Sequence, residues 1–220
     1  MGASGPSGRE GLDSFRSYIA PYVPGCPYLL MDRETIKVAR DLCRRVHLWK
    51  EMQEVTALRN KVNQIDIGPY PEADVVSIEY VTYNGVELIQ TSERELSEYF
   101  PRWRDVSSTP THFFTVMRDS VIQLYPSPNL NKPRSVKYEV IVMPSLDATS
   151  VPWFLFDQFV DVVIDGVLHG LMGILGKEWS NPPEAARREE LYKAGLYRAR
   201  DLAVRMYASQ NLNLTPDCLY

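Results

Sequence analysis

The sequence predicts an α+β fold: a helical bundle of about four helices with an inserted small antiparallel β lobe. Three observations predict it. Apolar residues recur at spacings of three and four near both ends of the chain, the signature of amphipathic helices. Between about residue 52 and residue 144 the period falls to two, the signature of strands. The stretch GKEWSNPPEAARREELY at 176–192 places a tryptophan and a double proline directly after the longest apolar run, as a corner between two long helices would.

The elements follow in order. Residues 1–11, MGASGPSGREG, are small and polar and read as a flexible arm. Leu12, Phe15, Tyr18 and Ile19 define a short helix stopped by Pro21, and the prolines of VPGCP make a rigid turn. A second helix is expected from an Asp32 N-cap to Trp49, with Ile36, Ala39, Leu42, Cys43 and Val46 inward and Arg40, Arg44 and Arg45 outward. VVSIEYVTYNGVELIQ reads as strand, Asn84-Gly85 hairpin turn and strand. Residues 91–100 form a short helix with a Ser92/Glu95 capping box, and strands follow at 112–117, 120–125 and 136–143.

Residues 153–175 are apolar nearly all round and predict a helix buried on several sides. Gly166, Gly170 and Gly173 would each weaken that helix by about 0.5–1 kcal/mol relative to alanine, so close approach of another backbone is expected there. At the corner, Trp179 packs the elbow and Asn181 caps the last helix. Pro182 and Pro183 fill its first two positions, and Glu184 closes a capping box. That helix runs to about Ala208 with Leu191, Gly195, Ala199, Leu202 and Met206 as its inner seam, antiparallel to its predecessor. Residues 209–220 lose the pattern and form an extended tail anchored by Leu212, Leu214, Leu219 and Tyr220. The chain thus divides into the arm, a helical bundle of 12–50 and 151–208, a β lobe of 51–150, and the tail.

Composition narrows the function. A chain of 220 residues with 45% hydrophobic residues can bury a sizeable core. A net charge of −4 with mixed signs argues against a dedicated nucleic-acid binder, which gathers Lys and Arg to neutralise phosphates. Cys26, Cys43 and Cys218 are odd in number and lack disulfide or zinc spacing, so they read as free thiols in a reducing cytoplasm. No membrane role is expected, because Asp157, Asp161 and Asp165 interrupt the most apolar run. Phosphate loop, zinc-protease and nucleophile-elbow motifs are absent from the sequence, and neither a cofactor nor a metal is expected.

One pattern bears chemistry: Asp157, Asp161, Asp165 and His169, each four residues after the last, make a polar stripe along an apolar helix. Asp165 and His169 could supply two metal ligands, but no third is visible. The stripe could instead pair with arginines of the last helix such as Arg187, Arg198 or Arg205. Repeated around a ring, it would line an acidic channel.

Taken together, YVPGCP before a helix ending RDLCRRVHLWKE, the strand–NG–strand unit, LYPSP after a strand, and GKEWSNPPEAARREELY before the final helix resemble the head-to-tail adaptor proteins of tailed bacteriophages. The nearest type is the tail tubular A, or gatekeeper, adaptor of short-tailed phages, and the resemblance spans roughly residues 18–208. It implies a non-enzymatic virion protein, assembled in the host cytoplasm, that forms a dodecameric ring under the portal protein and presents a platform to a nozzle or other proximal tail protein. It further implies a ring built by the helical part, DNA passing through its channel, and a C-terminal segment that reaches the portal. Two other classes are weighed beside it: a carbohydrate- or peptide-binding module using Tyr80, Tyr83, Tyr99 and Trp103 as an aromatic platform, and a metal-dependent hydrolase built on the Asp/His stripe.

Overall fold

A computed structural model describes residues 8–55, 64–103, 105–106, 112–117, 121–127 and 136–211, with backbone alone at 115, 117 and 206–211. In chain order the first elements are β1 (Arg9–Gly11), α1 (Leu12–Ile19), a 3₁₀ turn (Ala20–Tyr22) and α2 (Tyr28–Val46). Then come β2 (Lys50–Val55), β3 (Gln64–Asp66), β4 (Ala73–Tyr83), β5 (Val86–Glu87) and β6 (Ile89–Gln90). The helix α3 (Glu93–Tyr99) precedes β7 (Phe113–Met117), β8 (Val121–Tyr125) and β9 (Val136–Pro144). The last elements are β10 (Ser150–Pro152), α4 (Trp153–Met172) and α5 (Pro182–Asn211). The chain forms two compact units, one of Met1–Trp49 with Met143–Tyr220 and one of Lys50–Val142. The fold is α+β.

In the helical unit, α1, α2, α4 and α5 pack around Phe15, Ile19, Leu42, Leu155, Leu168 and Leu171, all fully buried. The inward face expected for α2 is buried as the spacing requires, Cys43 included. Burial pushes the Cys43 thiol up to about 12, so it behaves as a small apolar side chain. The start of α2 differs from expectation. Pro27, extended, is the N-cap of a helix that begins at Tyr28, four residues before Asp32, which is no cap. Asp32 instead receives both arms of Arg16, Nε to Oδ1 at 2.7 Å and Nη2 to Oδ2 at 2.6 Å, tying α1 to α2. His47, in the left-handed region at φ 58°, ends α2.

Residues 9–11, expected in the flexible arm, are instead β1, antiparallel to β10 with Glu10 opposite Val151. Arg9 holds the pair by donating to Ser150 Oγ at 2.7 Å and to the Ser150 carbonyl at 2.9 Å. Backbone pairing overrides the small, polar composition that pointed to an unstructured arm.

The β unit contains two four-stranded sheets, ordered β2-β9-β4-β5 and β3-β8-β7-β6. Asn84 at φ 50° and Gly85 at φ 81° form the expected hairpin turn, and Tyr83 pairs with Val86. α3 carries the expected capping box: Ser92 Oγ accepts from Glu95 N at 3.2 Å, and Ser92 N donates to Glu95 Oε2 at 2.9 Å. β2–β9, β3–β8, β4–β5 and β7–β8 pair antiparallel, whereas at one edge β6 runs parallel to β7. Inserting α3 between β6 and β7 turns the chain back to the same end of the sheet, as a parallel pair needs.

Candidate interaction surfaces

The corner between α4 and α5 is built largely as its sequence predicts. Gly176 turns the chain at φ 74°, a conformation that favours glycine. Asn181 N donates to the Met172 carbonyl at 3.0 Å, closing the turn, and Asn181 Oδ1 accepts from Glu184 N at 3.3 Å as the N-cap of α5. Pro182 and Pro183 occupy the first two helical positions. Trp179 packs half-buried against the helical core. Glu184 does not complete the expected capping box, because Asn181 N already has the Met172 carbonyl. Its carboxylate accepts from Arg187 at 2.7 and 2.8 Å and from Arg188 Nε at 2.9 Å. The hydrogen bond from Arg187, with Arg188 behind it, holds the Glu184 carboxyl down to about 2.

The polar stripe divides into two halves. Phe159, buried, has non-helical φ −128° and ψ 15°, so α4 bends between Asp157 and Asp161. Asp165 accepts from Arg188 Nη1 at 2.6 Å, with both side chains largely buried, at 15% and 13% exposure. The same guanidinium lies 4.9 Å above the Tyr22 ring, so Arg188 ties α4, α5 and the 3₁₀ turn together. His169 donates through Nδ1 to the Ala185 carbonyl at 3.0 Å. Asp157 and Asp161 remain exposed.

The arginine partner therefore differs from the three named from sequence. The antiparallel register that sets Ala185 beside His169 also sets Arg188 beside Asp165, and register along the corner is the signal that could have found it. Among the described residues, no group of three His, Cys, Asp or Glu side chains could hold a metal ion.

The glycines act by admitting side chains rather than another backbone. A Cβ on Gly166 would meet Val38 Cγ1 at 2.7 Å and the Tyr192 ring at 3.0 Å. One on Gly170 would meet the Glu34 carboxylate. Gly173 is the C-cap of α4 and faces its own helix at His169 O. Gly195, on α5, is nearly as tight as Gly166, since its Cβ would lie 2.8 Å from Val162 Cγ2 and 2.9 Å from Cγ1.

The inner seam of α5 is the expected one in part. Gly195 and Ala199 are buried as the spacing predicts, but Ala185 and Ala203 complete the seam, whereas Leu191 and Leu202 stay 36% and 40% exposed; the Met206 side chain lies outside the described residues. Small residues let α5 approach α4 closely, and the larger leucines are displaced to the flank.

The arginine row of α2 is engaged rather than merely solvated. Arg44 and Arg45 bind Asp41, which also accepts from Tyr192 OH at 2.9 Å, and Arg40 donates to the Pro144 carbonyl at 2.5 Å. These groups line a cleft of about 420 Å³ with Lys37, Leu146 and His169.

In the β unit the proposed aromatic platform does not assemble. Trp103 and Tyr83 are 2% and 3% exposed, and Trp103 Nε1 donates to Ser97 Oγ at 3.1 Å within a small core with Leu96 and Tyr125. Tyr99 alone of the four is strongly exposed, at 72%. The anchors Leu212, Leu214, Leu219 and Tyr220 lie outside the described residues.

The described residues thus offer helix flanks, a charged corner and two compact units, the features of a protein that works through its surfaces. No helix among them is long and apolar enough to cross a membrane. The SU10 adaptor protein family matches residues 36–214, most of the chain, from within α2 to beyond α5. The chain belongs to that family, and is a structural adaptor of the bacteriophage head–tail junction and a virion component. No curated relative matches the chain.

Proposed function

We propose that the protein assembles as a closed ring, a dodecamer, beneath the portal protein, extends the DNA channel, and presents a platform to the nozzle or next tail protein in the manner of the tail tubular A type. The helical unit builds the ring. Exposed Leu191, Leu202, Tyr197 and Val204 on the long α5 of a family of adaptors are the observation that carries this reading. A single copy leaves these side chains in water, and heterologous contacts that close on themselves would cover them. The two stripe carboxylates that form no ion pair among the described residues, Asp157 and Asp161, are exposed and can face either the channel or the neighbouring copy. On the channel side they would repel phosphate and let DNA slide. The tail at 209–220 docks on the portal through Leu212, Leu214, Leu219 and Tyr220.

The test is electron microscopy of purified protein mixed with portal rings of its own phage, the protein alone serving as control. A collar on the portal is the expected result; a protein that never associates with the portal would remove the proposal. Deleting 209–220 should abolish co-migration with portal rings in a sizing column, and unchanged co-migration would assign the contact to the helical body.

A further inference from the structure

We infer that the cleft formed by α2, α4, α5 and residues 143–146 holds the protein on the tail side of the ring, through an acidic segment that carries a bulky apolar side chain. This rests on the adaptor reading above and names the surface for its second partner.

The cleft, about 420 Å³, joins an apolar lining to a cationic rim. Val38 is buried in it, Met143 and Tyr192 are half-buried, and Leu146 stands 76% exposed on the same lining. α2 supplies the charges. Lys37, Arg40 and Arg44 follow at i, i+3 and i+7, so they share one face, with Arg45 beside them.

Two carboxylates also line the cleft, and both are turned inward. The side chains of Lys37, Arg44 and Arg45 are 71%, 61% and 62% exposed, whereas those of Glu34 and Asp41 are 16% and 22% exposed. Glu34 packs on Gly170, and Asp41 accepts from Tyr192 OH at 2.9 Å. These acids fix the cations in place, and the surface they leave toward water is positive. Asp147 is exposed but lines the hollow on the other side of Leu146, with Arg16 and Arg33. Glu189 of α5, close enough to feel His169, lies outside the lining and is held by Lys193 at 2.8 Å.

Charge and shape choose the occupant. Guanidinium groups beside an apolar hollow match a carboxylate-bearing protein segment with one large apolar residue. DNA phosphates would use the cations, but a duplex backbone has nothing to place against Val38 and Leu146. Position then chooses the protein. The portal is proposed to take the tail at 209–220, and α5 runs about 28 Å beyond Tyr192 before that tail begins. The cleft lies toward the other end of α5, where the second partner of an adaptor remains to be held.

The test adds the next tail protein of the same phage to portal rings that already carry a collar, and reads its concentration at half-occupancy. K37E/R44E reverses two exposed charges and leaves Arg45 on Asp41. It should form collars as the wild type does, which shows that it folds, and should raise that concentration by about tenfold or more. Leu146→Ala should raise it several-fold, and K37R/R44K, which keeps both charges, should match the wild type. Wild-type collars that take no tail protein, or equal uptake by K37E/R44E and Leu146→Ala, would overturn the inference while the ring reading stands. Loss of the collar itself in K37E/R44E, but not in K37R/R44K, would give the cleft to the portal or to a neighbouring copy instead. A double-stranded DNA probe that binds the wild type but not K37E/R44E, with tail-protein uptake intact, would make it a nucleic-acid surface. If the wild type never forms a collar, the ring reading falls and this inference with it.

Discussion

At the scale of single residues, the corner glutamate links structure to pH. Glu184 is held near 2 in the folded chain by Arg187 and Arg188, against 4.5 for an ordinary glutamate. A depressed folded value means that the carboxylate stabilises the fold fully above about 4.5 and that this contribution is lost as pH falls toward 2. E184Q should therefore flatten the dependence of thermal stability on pH across that window, and an unchanged slope would refute the assignment. The glycines give a matched pair of outcomes. Gly195→Ala gains helix propensity but presses on Val162, a stiff β-branched neighbour, so a net loss of roughly 1–2 kcal/mol is expected in urea unfolding. Gly170→Ala meets first the side chain of Glu34, an unbranched chain that can turn aside by giving up its ion pair with Lys37, and should be neutral or slightly stabilising in the same measurement.

The longest element, α5, depends on its first turn and on one buried arginine. Asn181→Ala removes the side-chain acceptor for Glu184 N and should cost about 1 kcal/mol, seen as a lower Tm. Asp165→Ala takes one of the two carboxylates from a mostly buried Arg188 and should cost about 1.5–3 kcal/mol; loss beyond that range is not expected, since Glu184 remains bound to the same guanidinium. The expected caps of α3 and α5 were legible because a cap is a local exchange between residues three apart. The start of α2 was not: Asp32 has the chemistry of a cap, yet its carboxylate is taken by Arg16, sixteen residues away. Leu191 and Leu202 were misplaced in the α5 seam, beside the correctly placed Gly195 and Ala199, for a related reason. Leucines at helical spacing mark where a helix could bury surface, but Gly195, Ala199 and Ala203 show where α4 comes close.

For the whole molecule, the proposed ring would cover the exposed apolar side chains of α5, Leu191, Tyr197, Leu202 and Val204, and apolar burial has its own salt signature. Collars on portal rings should survive a rise in sodium chloride from about 0.1 M to about 1 M, because screening acts on charges and not on apolar burial. Ammonium sulfate should strengthen them. Loss of the collars at the higher sodium chloride concentration would count against an apolar contact.

The sequence by itself determined the α+β class, the hairpin at Asn84-Gly85, the α3 capping box, the proline-rich corner and the adaptor family, all carried by short-range spacing that a chain displays before it folds. Only the tertiary structure decided which carboxylates of the stripe are used within one copy, which arginine meets Asp165, and which flanks of α5 stay in water. Those outcomes depend on the register and rotation of one helix against another. Single close contacts, such as Val162 against Gly195 and Arg188 against Asp165, set both, and no local spacing encodes them.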